Sequence, residues 1–257
     1  MQWHECYNPG NGCEPKLDFA YTPARQSMKA RHREFRYNGG VQMGLMDVAI
    51  FPAAEALKAD FVWAIEYDVD FTGSWARFFD QFVDNRADLL STTLLPFEQS
   101  SRWWHWQHAR PPSDVPRTFW HRAFHPVMRL SRPFLLWYID EMNRRRWHGH
   151  YEYTVPTSAL WGGFQVEDLG GTGPLCPAAR LGKNYHKAPH QSDEGDGSMV
   201  WRPSRGAYWV DAPETFALPD TLYHPVKTEA LEWEKPRSSP SLWQLGIRAW
   251  NRRRFRD

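Results

Sequence analysis

From residue 41 onward the apolar positions of this chain alternate between two rhythms. Met43, Met46, Ile50, Ala54 and Leu57 roughly follow helical spacing, with Pro52 expected to kink or divide the helix. Phe61-Val62-Trp63-Ala64-Ile65 is a short, continuous apolar run, as in a strand buried on both faces. After the turn Phe71-Thr72-Gly73-Ser74, the residues Trp75, Phe78, Phe79, Phe82 and Val83 recur at i, i+3, i+4, i+7 and i+8. That pattern predicts an amphipathic helix with Thr72 or Ser74 as its N-cap. Ala87 to Leu95 reads as a second strand, residues 96–117 as a long loop, and Phe124 to Leu130 as a third strand. A helix then runs from Ser131 to Arg146 with Leu135, Ile139 and Met142 on one face. Alternating strand and helix predicts the α/β class with a largely parallel sheet, in which ligands bind beyond the carboxyl ends of the strands.

One such strand end is strongly acidic. The run Phe61 to Ile65 stops abruptly at Glu66-Tyr67-Asp68-Val69-Asp70. If the extended conformation continues, side-chain alternation places Glu66, Asp68 and Asp70 on one face, where they repel one another unless a cation sits among them. Paired carboxylates are hard oxygen ligands suited to Mn²⁺ or Mg²⁺, ions that commonly also take phosphate oxygens from a substrate. The plain alternative is a solvated acidic loop.

Composition narrows the field. A chain of 257 residues is ample for a buried core. Lysine and arginine total 31 against 30 acidic residues, a formal charge of +1, so no overall field marks a nucleic-acid partner and none is expected. Aromatic content is high, with 15 Trp, 15 Phe and 10 Tyr supplying flat, stackable surfaces in excess. Cys6, Cys13 and Cys176 cannot all pair within one chain and match no zinc spacing, which favours a reducing compartment. Met1 to Pro9 lacks a basic segment followed by an apolar run, and no stretch approaches the roughly 18 apolar residues of a membrane span. A cytoplasmic protein is expected, peripheral at most to the inner face of the membrane.

The chain divides into a weakly patterned leader over residues 1–40, a domain over 41–230 and a tail over 231–257. In the tail, Leu242, Trp243, Leu245, Ile247, Trp250 and Phe255 are interleaved with Arg248, Arg252, Arg253, Arg254 and Arg256. A basic amphipathic helix over 241–257 can lie on an anionic membrane, or pack on the domain with a solvated basic end.

Several motifs in order carry a family resemblance. Glu66-Tyr67-Asp68, Phe71-Thr72-Gly73-Ser74-Trp75, Gly149-His150-Tyr151-Glu152 with Pro156-Thr157, Asp168-Leu169-Gly170-Gly171 and Leu222-Tyr223-His224-Pro225-Val226-Lys227 follow one another between residues 40 and 230. In this the chain resembles nucleotide-sugar glycosyltransferases of the GT-A type, in a poorly described bacterial and fungal branch. The resemblance implies a GT-A-like, Rossmann-type mixed sheet flanked by helices. It also implies transfer of a sugar from a nucleotide-sugar donor to a glycan or lipid-linked acceptor. Asp68 with Glu66 or Asp70 would hold the metal as an Asp-x-Asp-type motif, and His224 would complete its shell. Lys227 would contact the donor phosphates as a compact cation. Glu152, with Asp168 behind it, would act as general base or acceptor contact, whereas the structural alternative has Glu152 capping a helix begun near Pro156. The chain departs from the family in its N-terminal half, since the 65 residues before Glu66 are few for a base-binding unit.

The segment Arg102-Trp103-Trp104-His105-Trp106 admits stacking on sugar rings or bases, with Arg102 beside an anionic acceptor, or a loop folded onto the core by its tryptophans. His105, His108, His121 and His125 match no ordered zinc set. Two other function classes stand beside the enzyme: a noncatalytic carbohydrate-binding protein of the same fold, and a single-stranded nucleic-acid binder, which the neutral charge opposes.

Overall fold

The computed structural model describes Met28 and residues 44–186, 194–195, 197–203, 209–210, 216 and 218–227. Most of the leader and all of the tail, including the basic segment 241–257, lie outside the described residues. Helix α1 (Asp47–Ala56) precedes β1 (Phe61–Ile65), β2 (Asp70–Phe71), α2 (Trp75–Asp80), β3 (Leu89–Pro96), β4 (His121–Ser131), α3 (Arg132–Arg144), α4 (Tyr151–Trp161) and β5 (Val166–Asp168). Two-residue strands follow: β6 (Glu194–Gly195), β7 (Arg202–Pro203), β8 (Trp209–Val210), β9 (Leu222–Tyr223) and β10 (Val226–Lys227).

The main sheet has the order β1-β4-β3-β5. β4 runs antiparallel to both β1 and β3, and only β3 and β5 are parallel neighbours. The expectation of a largely parallel sheet is therefore corrected: the sheet is mixed. Hydrophobic runs cannot report strand direction, because the reversed central strand β4 is buried on both faces just as a parallel strand would be. β1, β3 and β5 nevertheless share one direction, so their carboxyl ends and the start of β4 form one edge.

Side-chain alternation splits the core into two halves. Val62, Ala64, Leu89, Met128 and Leu130 face α1, α3 and α4 through Phe51, Phe134, Leu135, Tyr138 and Tyr153. Trp63, Ile65, Leu90 and Val127 face the other side, against Phe78 and Phe82 of the α2 region and against Leu169, Met199 and Leu222. The Trp75–Phe82 periodicity thus produces a dense aromatic cluster, with Trp63 and Phe78 centroids 5.7 Å apart and Phe78 and Phe82 at 5.4 Å. Ser74 is the N-cap residue of α2 but makes no side-chain capping bond, and Thr72 instead donates to the Leu218 carbonyl at 2.7 Å. Pro52 is accommodated inside α1 without dividing it. Ser131 caps α3 by accepting the Phe134 N–H.

Candidate metal centre

β1 delivers Glu66 to the functional edge, and the Glu66 N–H still donates to the Pro126 carbonyl at 2.8 Å. The chain then turns, with the Val69 N–H donating back to the Glu66 carbonyl at 3.1 Å. This turn overturns the premise of continued extension, and with it the alternation that would align three carboxylates. Asp70 lies past the turn in β2, where its Oδ1 accepts the Phe71 N–H at 2.7 Å. Among the described residues Asp70 is not part of the metal-competent group.

That group is Glu66, Asp68 and His224, whose ligating atoms lie within 4.8 Å of one another. Antiparallel pairing of β2 with β9, Asp70 opposite Tyr223, brings His224 to the acidic turn. The Val226 N–H donates to the Asp68 carbonyl at 2.7 Å and holds the two backbones together. His224 Nε2 stands 3.1 Å from Glu66 Oε2 and 3.7 Å from Asp68 Oδ1. For ligands at about 2.1 Å, neighbouring corners of an octahedral shell are about 3.0 Å apart, so these separations are close to those of a filled shell.

Three further observations fit a cation. His224 Nδ1 lies 2.8 Å from the Val200 carbonyl, which can only accept, so Nδ1 carries a ring proton and Nε2, 3.1 Å from Glu66, is the ring nitrogen that would ligate a cation in place of a proton. Asp68 Oδ1 is buried with no hydrogen-bond partner among the described residues, on a side chain only 10% exposed. An orphaned buried carboxylate oxygen is costly unless a positive charge meets it. Two carboxylates with one imidazole are also a donor set that Mn²⁺ accepts more readily than Mg²⁺, which favours oxygen alone.

Lys227 is part of the centre. Its Nζ donates to Asp68 Oδ2 at 2.5 Å and to the Tyr67 hydroxyl at 3.0 Å, and sits 4.5 Å from the centroid of the Tyr67 ring. Burial pulls the ammonium pKa down, but the hydrogen bonds and charges of Asp68 and Tyr67 outweigh it and the net shift is upward.

The neighbouring wall comes from the start of α4. Gly44, in the left-handed region at φ +70°, leaves no room for a Cβ, which would stand 1.8 Å from His150 Nε2. His150 is the N-cap of α4, and its Nδ1 accepts the Glu152 N–H at 3.3 Å. Glu152 is 7% exposed and sits in the first turn of a helix that begins at Tyr151, five residues before Pro156. The Tyr151 phenol is pushed well above its ordinary pKa by burial first and then by the charges of Glu66, Glu152 and Asp47. The Glu152 carboxylate itself lies 3.4 Å from His150 Nδ1 and outside the Glu66–Asp68–His224 group. Tyr151 stood in the sequence motif without a role, and no periodicity marks it.

Asp168 belongs elsewhere. Its Oδ1 accepts the N–H groups of Gly170 and Gly171 at 2.9 and 2.7 Å, its Oδ2 accepts that of Leu94 at 3.0 Å, and the Tyr185 hydroxyl reaches both oxygens. It is fully buried, and its lone pairs are committed to the backbone, which leaves none to accept a substrate proton. Trp103 and Trp106 enter the helix-side core at 8% and 7% exposure, while Trp104 at 69% and Arg102 remain on the surface. The candidate zinc histidines have different partners: His125 is buried at 2.7 Å from Ser91 Oγ, His121 lies 3.0 Å from the Phe119 carbonyl, and His105 packs at a tilt against His150 with ring centroids 4.1 Å apart.

Among the described residues no helix is long and apolar enough to cross a membrane. In comparisons with known proteins, no family model, no curated protein and no solved structure matched the chain.

Proposed function

We propose that this protein is a metal-dependent glycosyltransferase of GT-A type, moving a sugar from a nucleotide-sugar donor to a glycan or lipid-linked acceptor. The observation that carries the reading is the convergence of Glu66, Asp68 and His224 at the carboxyl end of β1, with a buried Asp68 oxygen left over for a cation. Mn²⁺ is the favoured ion, and when bound it supplies positive charge against the diphosphate leaving group.

The chain's own residues divide the remaining work. His224 is oriented by the Val200 carbonyl at Nδ1, which leaves Nε2 as the atom that would ligate the cation. Lys227 offers a cation to donor phosphate. Glu152, whose charge acts with that of Glu66 on the buried Tyr151, takes the proton from the attacking acceptor hydroxyl. Acceptor contact falls to exposed Trp104 and Arg102, whereas Trp103 and Trp106 hold the loop to the core. The inward turn of those two indoles removes much of the stacking surface on which a purely carbohydrate-binding role would rest.

Mn²⁺ calorimetry on the purified full chain, followed by a donor screen reading release of nucleoside diphosphate, tests this. Asp68→Asn should lower Mn²⁺ affinity by more than the roughly 10–100-fold typical of losing a mere supporting partner, and should abolish turnover. Unchanged Mn²⁺ affinity in that variant would return the acidic turn to a solvated loop.

A further inference from the structure

Lys227 holds one oxygen of Asp68 and leaves the other toward Glu66 and His224. Its ammonium bonds Asp68 Oδ2 while the opposite oxygen, Oδ1, faces Glu66 and His224 without a partner among the described residues. Lys227 does not wander to this place. The Val226 N–H to Asp68 carbonyl bond fixes the preceding residue against the acidic turn, and β10 pairs in parallel with β8. Counting Glu66, Asp68 and Lys227, two carboxylates and one ammonium sum to one negative charge. A bound dication then makes it singly positive, with the ammonium at its edge. A loaded centre without Lys227 would be neutral.

We infer that Lys227 makes the metal centre conditional on an anionic co-ligand: it weakens binding of the cation alone and turns the loaded centre into a receptor for a phosphate or diphosphate group. Like charges a few ångströms apart oppose loading, whereas an anion that bridges the metal and the ammonium satisfies both at once. Tyr67, 80% exposed, holds the ammonium from the solvent side through a hydroxyl contact and a ring face, so the lysine has a resting place from which it can swing onto a phosphate. This inference rests on the metal reading above and deepens it, because it specifies that the partner of the metal is anionic and that the two bind with positive coupling.

Calorimetry on the full-length protein, with Lys227→Met and Lys227→Arg beside the wild type, tests it. Mn²⁺ alone should bind Lys227→Met on the order of ten-fold more tightly than wild type, since a cation bonded to one of the would-be ligands has been removed. Lys227→Arg, which keeps the charge, should stay near wild type. Inorganic pyrophosphate, titrated into each Mn²⁺-saturated protein, should bind wild type and lose on the order of ten-fold in Lys227→Met. Equal Mn²⁺ affinity in wild type and Lys227→Met, or pyrophosphate affinity indifferent to that change, overturns the inference and leaves the metal centre standing. Failure of Mn²⁺ to bind any of the three proteins overturns both. Circular dichroism of each variant identifies a misfolded sample, and in that event Lys227→Gln serves as the neutral test under the same criteria.

Discussion

His125 shows how burial, more than any partner, decides the behaviour of a side chain. It is 2% exposed, packs 5.1 Å from the Tyr151 ring and meets Ser91 Oγ through Nδ1. Burial first, and then the Arg122 charge, push its pKa from 6.5 to about 3, with the Tyr151 backbone offsetting part of the shift. The unfolded chain takes up this proton near pH 6.5, while the folded chain refuses it until about pH 3. Stability supplied by neutral His125 is therefore complete above the unfolded pKa and lost as the pH falls through that window, on the order of 4 kcal/mol in all. Urea unfolding across the acid range should show a steep decline for wild type and a flatter one for His125→Gln; parallel curves would remove His125 as the acid-sensitive group. Glu152 tests catalysis at the same scale. Glu152→Gln should lower transfer on the order of 10²–10⁴-fold with donor affinity unchanged, read by steady-state kinetics and equilibrium binding. Loss of donor affinity with turnover preserved would assign it to binding. Single residues were unevenly legible in the sequence. Asp68 and Glu66 announced themselves by following an apolar run, but Asp70 could be set apart only by a turn that leaves no mark in hydrophobic spacing.

At the level of elements, a buried carboxylate joins β5 to an irregular part of β3. The β3–β4 register shifts on either side of Thr92, and Thr93 takes φ +55°, a conformation that a β-branched residue rarely adopts. The Thr93 N–H is caught by the Tyr185 hydroxyl at 2.7 Å, which in turn donates to Asp168, while the Leu94 N–H goes directly to Asp168. Asp168 thereby satisfies amides that the distorted ladder would leave buried and unpaired. Asp168→Asn places an amide NH₂ among N–H donors and should destabilise the fold by about 3 kcal/mol, measured by urea unfolding, while the folded fraction retains Mn²⁺ binding. A normal melting profile would contradict this role. The elements themselves were largely readable: β1, β3, α2 and α3 fall within a few residues of their hydrophobic patterns, because each buries a face whose period matches its geometry. Strand direction was not readable, since Leu89 and Leu130 pair in register whichever way the chain arrives.

Across the whole molecule, the proposed metal centre would be a cross-link between distant parts of one chain. Glu66 and His224 are 158 residues apart in sequence and are brought together by the β2–β9 pair, the Val226–Asp68 bond and the Lys227–Asp68 contact. Mn²⁺ at about 100 times its dissociation constant should add about 2.7 kcal/mol of stability, which for a chain of this size raises Tm by about 5–10 °C. Hydrogen exchange should slow in 221–227 and in 66–71 together, and chelation should reverse both effects; protection confined to one segment would refute the cross-link. His224 was placed in the sequence by motif order, because no local pattern couples a histidine before a proline to an acid so far upstream. The same separation orders events in time. Protein synthesis releases the sheet, its helices and both carboxylates well before the histidine and lysine, and domains begin to fold from their N-terminal side. A growing chain thus carries an acidic turn without its imidazole, and a chain that stops short of His224 would lack the third ligand of the proposed centre.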